Sequence, residues 1–398
     1  MTMISNRILG INEPQTIAMT QKSRDLQAQG IDVISLSIGE PDFKTPVHIQ
    51  EAAIEAIRSQ KYFAYPPVAG YPDLKEAVCW KMKNDNGLDY SPNQVVIATG
   101  AKQSVINTIL CLVNPGEEVI LPAPFWVSYE LMVQMAEGVP VRISTSVENN
   151  YKFTPEQLEK AITPKTKAFL FSSPCNPTGT VYSASELEAF AEVFRRHPQI
   201  TVISDEIYEF INFVGKHASI AHCEGMKDRT VIINGMSKGF AMTGWRLGYS
   251  IAPPELSKAI EKMQSQYTSG ANTIAQRAAL AALTGSREPS QAMCAAFLKR
   301  RDLVIDGLKQ IPGVEMNVPE GAFYAFPNIS SYFGKSWKDW SISNATDLAM
   351  YLLEVGHVAT VTGEAFGDPR AIRLSFATSD EQLKTAVDRI HQSLIQLK

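Results

Sequence analysis

Short runs of β-branched and other apolar residues alternate, along the first 285 residues, with longer stretches whose apolar positions repeat at helical spacing. The short runs predict buried strands and the longer stretches predict amphipathic helices. One helical stretch, SASELEAFAEVFRRH, begins with Ser183 and Glu186 at capping-box spacing. Strands joined through helices form βαβ units, so we expect an α/β fold with a mainly parallel central sheet flanked by helices. The predicted strands cover residues 94–99, 117–122, 139–144, 167–173, 201–205 and 230–237.

The pattern changes from about Ser286 onward. A long helical stretch is followed by VEMNVPEGAFYAFPNI, a helix in TDLAMYLLEVG, strands in VATVT and AIRLSFAT, and a closing helix. Such mixing is typical of a smaller α+β domain. The chain has 398 residues, enough for about two cores. We therefore predict a large domain over 45–285 and a small domain formed by 1–44 with 286–398. A helix at roughly residues 16–30 is expected to pack with the small domain.

Composition excludes several classes of protein. A formal net charge of −4 argues against a general nucleic-acid binder, which needs a strongly basic surface. No run of about 18 apolar residues suggests a membrane span, and no signal peptide is apparent, so we expect a cytoplasmic protein. The odd number of scattered cysteines, without a C-x-x-C motif, favours reduced thiols over disulfides or a metal site. The five are Cys79, Cys111, Cys175, Cys223 and Cys294.

Polar and small residues follow several predicted strands, where ligands bind in sheets of this type. Gly100, Ala101 and Lys102 open the helix after the first such strand, and its backbone N–H groups favour an anion. Asn176 lies in the stiff turn PCNPTG after the strand 167–173. A tight connecting turn is the simple alternative in both places.

A carboxylate and a tyrosine end another strand. Asp205 closes TVISD, and Tyr208 lies three residues on, on the same side if the turn is helical. Asp205 is either a helix cap or a partner for a protonated ring nitrogen. Late in the chain, Arg373 stands within the apolar strand AIRLSF, where it needs an anionic partner. That partner is either an internal carboxylate or a substrate carboxylate.

The segment NGMSKGFAMTGWRLG, residues 234–248, carries the clearest chemical signal. Lys238 stands among small residues directly after a buried strand, and Arg246 follows eight residues later. Two solvated surface cations explain this arrangement poorly. A lysine whose pKa is lowered by desolvation or nearby cations forms an imine readily.

These segments together resemble the class I aminotransferases of the fold-type-I pyridoxal-phosphate superfamily, and most nearly the bacterial type of aspartate aminotransferase. The resemblance runs from about Ile4 to the C-terminus. G-M-S-K-x-x-A-M-x-G-x-R-L-G is similar to the pyridoxal-attachment signature of that family. Further matching motifs, in the family's order, are SLSIGEPDF, YPPVAGYPDL, APFWVSYELM, NPTG, SDEIYE, PEGAFY and RLSFATS.

The resemblance implies catalytic roles for Lys238, Asp205 and Tyr208. Lys238 would hold pyridoxal 5'-phosphate as a Schiff base and then move the proton between the substrate α-carbon and C4′ of the cofactor. Asp205 would pair with the protonated pyridine nitrogen, while Tyr208 and Asn176 would bind the phenolic oxygen. The implied cofactor-binding set is Gly100, Ala101, Lys102, Trp126, Asn176, Asp205, Tyr208, Ser237, Lys238, Arg246 and Tyr65.

Tyr65 would reach the phosphate of the neighbouring subunit, which implies a homodimer with shared active sites. Arg373 would bind the substrate α-carboxylate with help from Asn176 and Gly39, and Trp126 would stack on the cofactor ring. Lys102 would contact the distal carboxylate of acidic substrates. This favours aspartate and glutamate, with oxaloacetate and 2-oxoglutarate as keto partners, although surface solvation is a rival explanation for Lys102.

The sequence is compatible with several alternatives. The same cofactor supports a β-lyase, and a non-catalytic pyridoxal-binding regulator is a third reading. Among aminotransferases, aromatic, kynurenine-type, broad-specificity and prephenate-using activities compete with aspartate. Phe125 stands where the family more often has tyrosine, Phe63 adds bulk near Tyr65, and VTGEAFG replaces a more usual proline-glycine form. These departures bear on substrate choice and not on the cofactor.

Overall fold

The computed structural model describes residues 3–11 and 15–398. The strands are β1 (Ile34–Ser35), β2 (Val95–Ala98), β3 (Glu118–Ala123), β4 (Val139–Ser144), β5 (Thr166–Ser172), β6 (Thr201–Asp205), β7 (Thr230–Gly235), β8 (Gly248–Ile251), β9 (Tyr324–Ala325), β10 (Ser336–Trp337), β11 (Trp340–Ser341), β12 (Val358–Ala359), β13 (Val361–Thr362) and β14 (Ile372–Ser375). The helices are α1 (Asn6–Leu9), α2 (Gln15–Ala28), α3 (Val47–Ser59), α4 (Pro72–Lys81), α5 (Ala101–Leu112), α6 (Ser128–Met135), α7 (Pro155–Ala161), α8 (Ala184–Arg196), α9 (Pro254–Tyr267), α10 (Thr273–Thr284), α11 (Glu288–Leu308), α12 (Ala345–Glu354) and α13 (Asp380–Leu394).

Seven strands form the central sheet in the order β2-β8-β7-β6-β5-β3-β4. Every neighbouring pair is parallel except those of β8, which runs antiparallel to both β2 and β7. The expected α/β class with a mostly parallel sheet is confirmed. The buried faces of the central strands explain their nearly continuous apolar sequences, because helices cover both sides of such a sheet.

Strand β8 was not predicted from the sequence. Its short sequence GYSI carries no periodic signal, yet it lies fully buried between two neighbours. Gly235 and Gly248 are direct partners across β7 and β8, so the chain between them leaves and re-enters the sheet at one point. A Cβ on Gly248 would lie 2.3 Å from the Ala101 nitrogen, so only glycine permits this approach. The loop therefore presents Lys238 and Arg246 at the carboxyl end of β7.

Smaller differences concern element ends. The strand expected over 230–237 ends at Gly235. Residues 206–210 form hydrogen-bonded turns and not an α-helix. The predicted capping box of Ser183 and Glu186 is present at the start of α8.

A second core joins the two ends of the chain. Met19, Val33 and Leu36 pack in one apolar cluster with residues of α11, α12, α13, β9, β12 and β14. Strand β1 pairs in parallel with β12. This contact agrees with the expectation that the N-terminal helix packs with the C-terminal region, while domain boundaries at 45 and 285 stay a prediction. Within the described ranges, no helix is both long enough and apolar enough to cross a bilayer.

Candidate active site

Asp205 ends β6 in the middle of the sheet and is buried. The Tyr129 hydroxyl donates a hydrogen bond to its Oδ2 at 2.6 Å, and the Ile207 backbone N–H donates to its Oδ1 at 3.2 Å. Burial raises the pKa of Asp205 to about 6, although both hydrogen bonds favour the ionised form. The carboxylate forms no ion pair with any cation in the described part of the chain, so a cationic ligand group is the missing partner.

Lys238 lies in the loop after β7, half-buried, with its Nζ donating a hydrogen bond to the Gly39 carbonyl. Its ammonium lies 5.8 Å from the Tyr208 ring centre and 5.7 Å from that of Phe323. Desolvation lowers the pKa of Lys238 to about 8, and the nearby charges of Arg373 and Arg246 act in the same direction. An amine with this pKa is partly unprotonated near neutral pH and can act as a nucleophile.

An anion cradle forms where α5 begins. Gly100, with φ +82°, precedes the helix, and a Cβ there would lie 2.5 Å from Nη2 of Arg246. The guanidinium therefore lies directly over the turn, and its Nη1 donates to the Thr243 carbonyl at 2.8 Å. The free N–H groups of a helix N-terminus beside an arginine form a site for a phosphate. Ser237 is buried next to Lys238 in the same loop.

Arg373 is 2% exposed in β14. Its Nη1 donates to Asn176 Oδ1 at 3.1 Å and its Nη2 donates to the Ser37 carbonyl at 2.7 Å. The Nε has no hydrogen-bond partner, and no carboxylate in the described ranges pairs with the side chain. The internal salt bridge considered from the sequence is therefore absent there. A buried guanidinium with spare donors matches a ligand carboxylate.

Tyr324 and Tyr129 are the site residues that sequence reasoning missed. Tyr324 shares a 2.9 Å hydrogen bond with the Tyr208 hydroxyl, and the Arg373 guanidinium lies 4.6 Å from its ring centre. A Cβ on Gly39 would lie 2.7 Å from the Tyr324 hydroxyl, so this glycine makes room for it. Both tyrosines stood inside the matching motifs PEGAFY and APFWVSYELM, which were the available signal.

Lys102 and Trp126 lie at the rim. The Lys102 ammonium is 4.8 Å from the Trp126 ring centre, while part of the lysine side chain stays exposed. Partial desolvation, and then the charge of Arg246, lower the pKa of Lys102. Trp126 in turn meets Tyr129 edge to face at 5.4 Å.

Tyr65 is the predicted site residue for which a single chain shows no contact with the rest of the site. Its side chain is 91% exposed and donates no hydrogen bond within the described ranges, and Phe63 nearby is 66% exposed. A neighbouring subunit is what the sequence-based prediction requires for this residue.

The residues present fit pyridoxal phosphate. A buried carboxylate at the end of β6, a half-buried lysine of lowered pKa after β7 and an anion-binding turn at the start of α5 match the pyridine nitrogen, aldehyde and phosphate of the cofactor. Sheet order, the antiparallel strand and this donor set define a fold-type-I pyridoxal-phosphate enzyme.

The chain belongs to the family of class I and II aminotransferases, whose family model matches residues 31–390. The aspartate/prephenate aminotransferase of Cereibacter sphaeroides is 47% identical over 393 residues, covering 98% of each chain. The aspartate aminotransferase of Geobacillus stearothermophilus is 44% identical, again with 98% of each chain covered. The crystal structure of the Rhizobium meliloti aspartate aminotransferase superposes with a TM-score of 0.96 at 40% identity, with both chains fully covered. The protein is a pyridoxal-phosphate-dependent aminotransferase.

Proposed function

We propose that this enzyme transfers the amino group of aspartate, or of a similar acidic amino acid, to 2-oxoglutarate by a ping-pong mechanism. The observation that carries the proposal is Lys102, whose ammonium stands over Trp126 without a carboxylate partner in the described chain. With Arg373 it supplies two separate cations, as a dicarboxylic substrate requires. The names of the relatives, aspartate and aspartate/prephenate aminotransferase, support the same choice.

In the proposed mechanism Arg373 binds the substrate α-carboxylate through its free donors. Asn176 is already hydrogen-bonded to Nη1 and holds the guanidinium plane in place. The Gly39 carbonyl accepts from Lys238 and lies beside Tyr324, so it belongs to the same wall of the pocket. Trp126 provides an aromatic face at the rim. Together these residues orient the substrate α-carbon toward Lys238.

Pyridoxal phosphate, when bound, supplies an electron sink for the negative charge that develops at the substrate α-carbon. Lys238 would hold the cofactor through its Nζ and would accept and return the proton of the substrate α-carbon. Its lowered pKa suits both tasks, because the unprotonated amine is the reactive form. Asp205 would pair with the pyridine nitrogen and keep it protonated, and the Tyr129 hydroxyl donates a hydrogen bond to that carboxylate.

Further assignments are part of the same proposal. Tyr208 and Asn176 bind the phenolic oxygen of the cofactor. The phosphate is bound by Gly100, Ala101, Ser237 and Arg246, and by the exposed Tyr65 of a second subunit. The enzyme is then a homodimer with shared sites, and its five unpaired cysteines are consistent with work in the cytoplasm.

The attachment of the cofactor is tested with Lys238→Ala. The purified wild-type protein should be yellow, and borohydride should fix the cofactor covalently to Lys238, as peptide mass analysis detects. The Lys238→Ala protein should lose borohydride labelling and essentially all transamination. A matched control is Lys152→Ala with Glu186→Gln, which removes another partly buried lysine together with its carboxylate partner. A Lys238→Ala protein of full activity would refute the assignment.

Substrate choice is tested with Lys102→Ala. We expect kcat/KM for aspartate to fall about 10- to 100-fold, the value of a lost charge-assisted contact, while phenylalanine and kynurenine change less than about threefold. Equal losses for acidic and aromatic substrates would show that Lys102 serves only the cofactor, and would favour the aromatic or broad-specificity alternative. Release of pyruvate and ammonia without a keto acceptor would identify a β-lyase.

Prephenate is the second candidate substrate, and several relatives are named as aspartate/prephenate aminotransferases. It carries a carboxylate on its ring carbon besides that of its side chain, so both Lys102 and Arg373 have a partner. Comparing kcat/KM for prephenate and oxaloacetate as amino acceptors separates a dedicated aspartate enzyme from one that serves both.

A further inference from the structure

The turn that follows β6 has two faces. Asp205 and Tyr208 point into the cofactor pocket, where they contact Tyr129 and Tyr324. Glu206 and Glu209, each one residue further along, have their partners outside that pocket. Residues three apart lie on one side of a tight turn, and the Glu209 N–H donates to the Glu206 carbonyl at 2.9 Å. The side chains of Asp205 and Tyr208 thus lie on one side of the turn, and those of Glu206 and Glu209 lie on the other.

The two glutamates belong to a buried ion cluster, defined here as Lys81, Asn86, Glu206, Glu209 and His217. The Lys81 ammonium contacts Glu209 Oε1, and the Asn86 amide donates to Glu209 Oε2 at 3.0 Å. His217 Nε2 lies 3.0 Å from Glu206 Oε2. All five residues are at least nine-tenths buried.

Hydroxyl groups complete the shell of Glu206. Ser204 donates to its Oε1 at 3.0 Å and Ser219 donates to the same oxygen at 2.6 Å. Ser204 is part of β6 and Ser219 follows His217, so the carboxylate ties the strand end to the loop beyond it. Because the Glu206 carboxylate accepts hydrogen bonds from both β6 and the later loop, it restrains the backbone between Ser204 and Glu209.

The charges of the cluster balance only if His217 carries a proton. Burial opposes the imidazolium, but the adjacent Glu206 carboxylate outweighs it, so the pKa of His217 is raised. For Glu209, burial opposes ionisation and the Lys81 ammonium outweighs it, so its pKa is lowered. With both cations present, two carboxylates meet two positive side chains.

The other titratable groups around the cluster do not change this balance of two positive and two negative charges. Tyr90 and Tyr249 face it, and burial raises the pKa of both, so they stay neutral. Arg287 and Asp85 lie beside Tyr249 and pair with each other at 3.1 Å. The Glu206, Glu209 and His217 ligand atoms lie within 4.8 Å of one another, but the Lys81 ammonium already supplies the cation that a metal ion would bring.

We propose that Glu206, Glu209, Lys81 and protonated His217 form a charge-balanced support that positions Asp205 and Tyr208 for the cofactor. His217 and Glu206 are positioning residues, since they reach the cofactor only through the turn. The proposal rests on the pocket roles proposed above for Asp205 and Tyr208. Removing one charge of a buried pair leaves the other uncompensated, whereas removing both restores neutrality. The support therefore predicts a characteristic double-mutant pattern.

The test compares His217→Gln, Glu206→Gln and the double variant with His197→Gln as control. His197 also pairs with a glutamate, Glu159, at 2.7 Å, but at the surface. The apoprotein Tm at pH 7 should fall by about 5 °C or more in His217→Gln and by less than about 2 °C in the control. The double variant should recover at least half of the loss. This cycle needs no cofactor, so it stands even if the Lys238→Ala experiment refutes the pocket assignment.

The second readout is the cofactor itself. Pyridoxal phosphate should bind apoprotein carrying His217→Gln about tenfold more weakly than wild type. At saturating cofactor, the midpoint of its absorbance titration with pH should rise by about half a pH unit, since an uncompensated Glu206 carboxylate favours a cationic pocket. A Tm loss with unchanged affinity and midpoint would overturn the positioning role. So would additive losses in the double variant, or equal behaviour of His217→Gln and His197→Gln.

Discussion

The cofactor pocket and the buried ion cluster lie on opposite sides of one turn and treat buried charge in opposite ways. Asp205 and Glu209 are both buried, at 4% and 8% exposure, and stand four residues apart. Burial raises the pKa of Asp205 to about 6, whereas for Glu209 the Lys81 ammonium outweighs burial and the pKa is lowered. The difference is the counter-cation, which the chain supplies to one carboxylate and not to the other.

The cations show the same contrast. Lys81 is fully buried against Glu209, while Lys238 has a carbonyl as its hydrogen-bond acceptor and a pKa lowered to about 8 by desolvation. Arg300 forms a bidentate ion pair with Asp42, while Arg373 has no carboxylate partner within the described ranges. Since an isolated buried charge is costly, the unpaired charges mark the places where a ligand completes the pairing.

Among the variants that test this contrast, the largest effects are expected from neutralising the carboxylates of Asp205 and Glu209, each in a separate variant. Asp205→Asn should lower kcat/KM by about 10²- to 10⁴-fold, because a charge pair with the cofactor is lost. The same change should stabilise the apoprotein, whereas Glu209→Gln should destabilise it by about 3–5 kcal/mol by leaving Lys81 unpaired. Thermal unfolding of both apoproteins measures the change in stability. If the two substitutions changed the stability in the same direction, the contrast between the pocket and the ion cluster would be wrong.

The pH dependence of that stabilisation follows from the raised pKa of Asp205. Its folded value, about 6, lies above the unfolded value near 4, so the apoprotein loses stability as pH rises from about 4 to 6. Asp205→Asn should therefore match wild type at pH 4 and exceed it by up to about 3 kcal/mol above pH 6. Denaturant unfolding of the apoproteins at the two pH values measures this.

A smaller effect is expected from Arg373→Lys. Lysine keeps the charge but cannot donate two parallel hydrogen bonds to a carboxylate, so kcat/KM should fall about 100-fold for every amino acid, acidic or aromatic. Steady-state kinetics on aspartate and phenylalanine provide the measurement. The control is Arg300→Lys, which alters a guanidinium already paired with Asp42 and should change kcat/KM less than about threefold. Selective loss of aspartate activity in Arg373→Lys would contradict its role at the common α-carboxylate.

The smallest effect concerns Tyr129→Phe. This change removes the 2.6 Å hydrogen bond to Asp205, which should raise the pKa of that carboxyl further and weaken cofactor binding about tenfold. Cofactor titration of the apoprotein detects the change. Tyr351→Phe is the matched control, since it removes a 2.8 Å hydrogen bond to the Ser393 carbonyl in the second core. Equal cofactor affinity in the two variants would show that the Tyr129 hydrogen bond does not stabilise the Asp205 carboxylate.

Most of the fold could be predicted because its signals are local. The six predicted strands of the sheet are all present, with no end displaced by more than two residues, since each is an apolar run bounded by turn residues. Strand β8 escaped because four residues of no clear period become a strand only between two partners. Likewise, Asp205, Lys238 and Arg373 stood out as charges in apolar surroundings, whereas neutral Tyr129 and Tyr324 did not.

The sequence by itself determined the alternation of strands and helices, the family and the identity of the charged residues that need partners. Periodicity and composition are properties of neighbouring residues, so they can be read without the fold. Only the tertiary structure decided which charges are paired. Tyr129 meets Asp205 across 76 residues of chain and Lys81 meets Glu209 across 128. Desolvation depends on everything that surrounds a group in space, and that is why two carboxylates four residues apart acquire opposite pKa shifts.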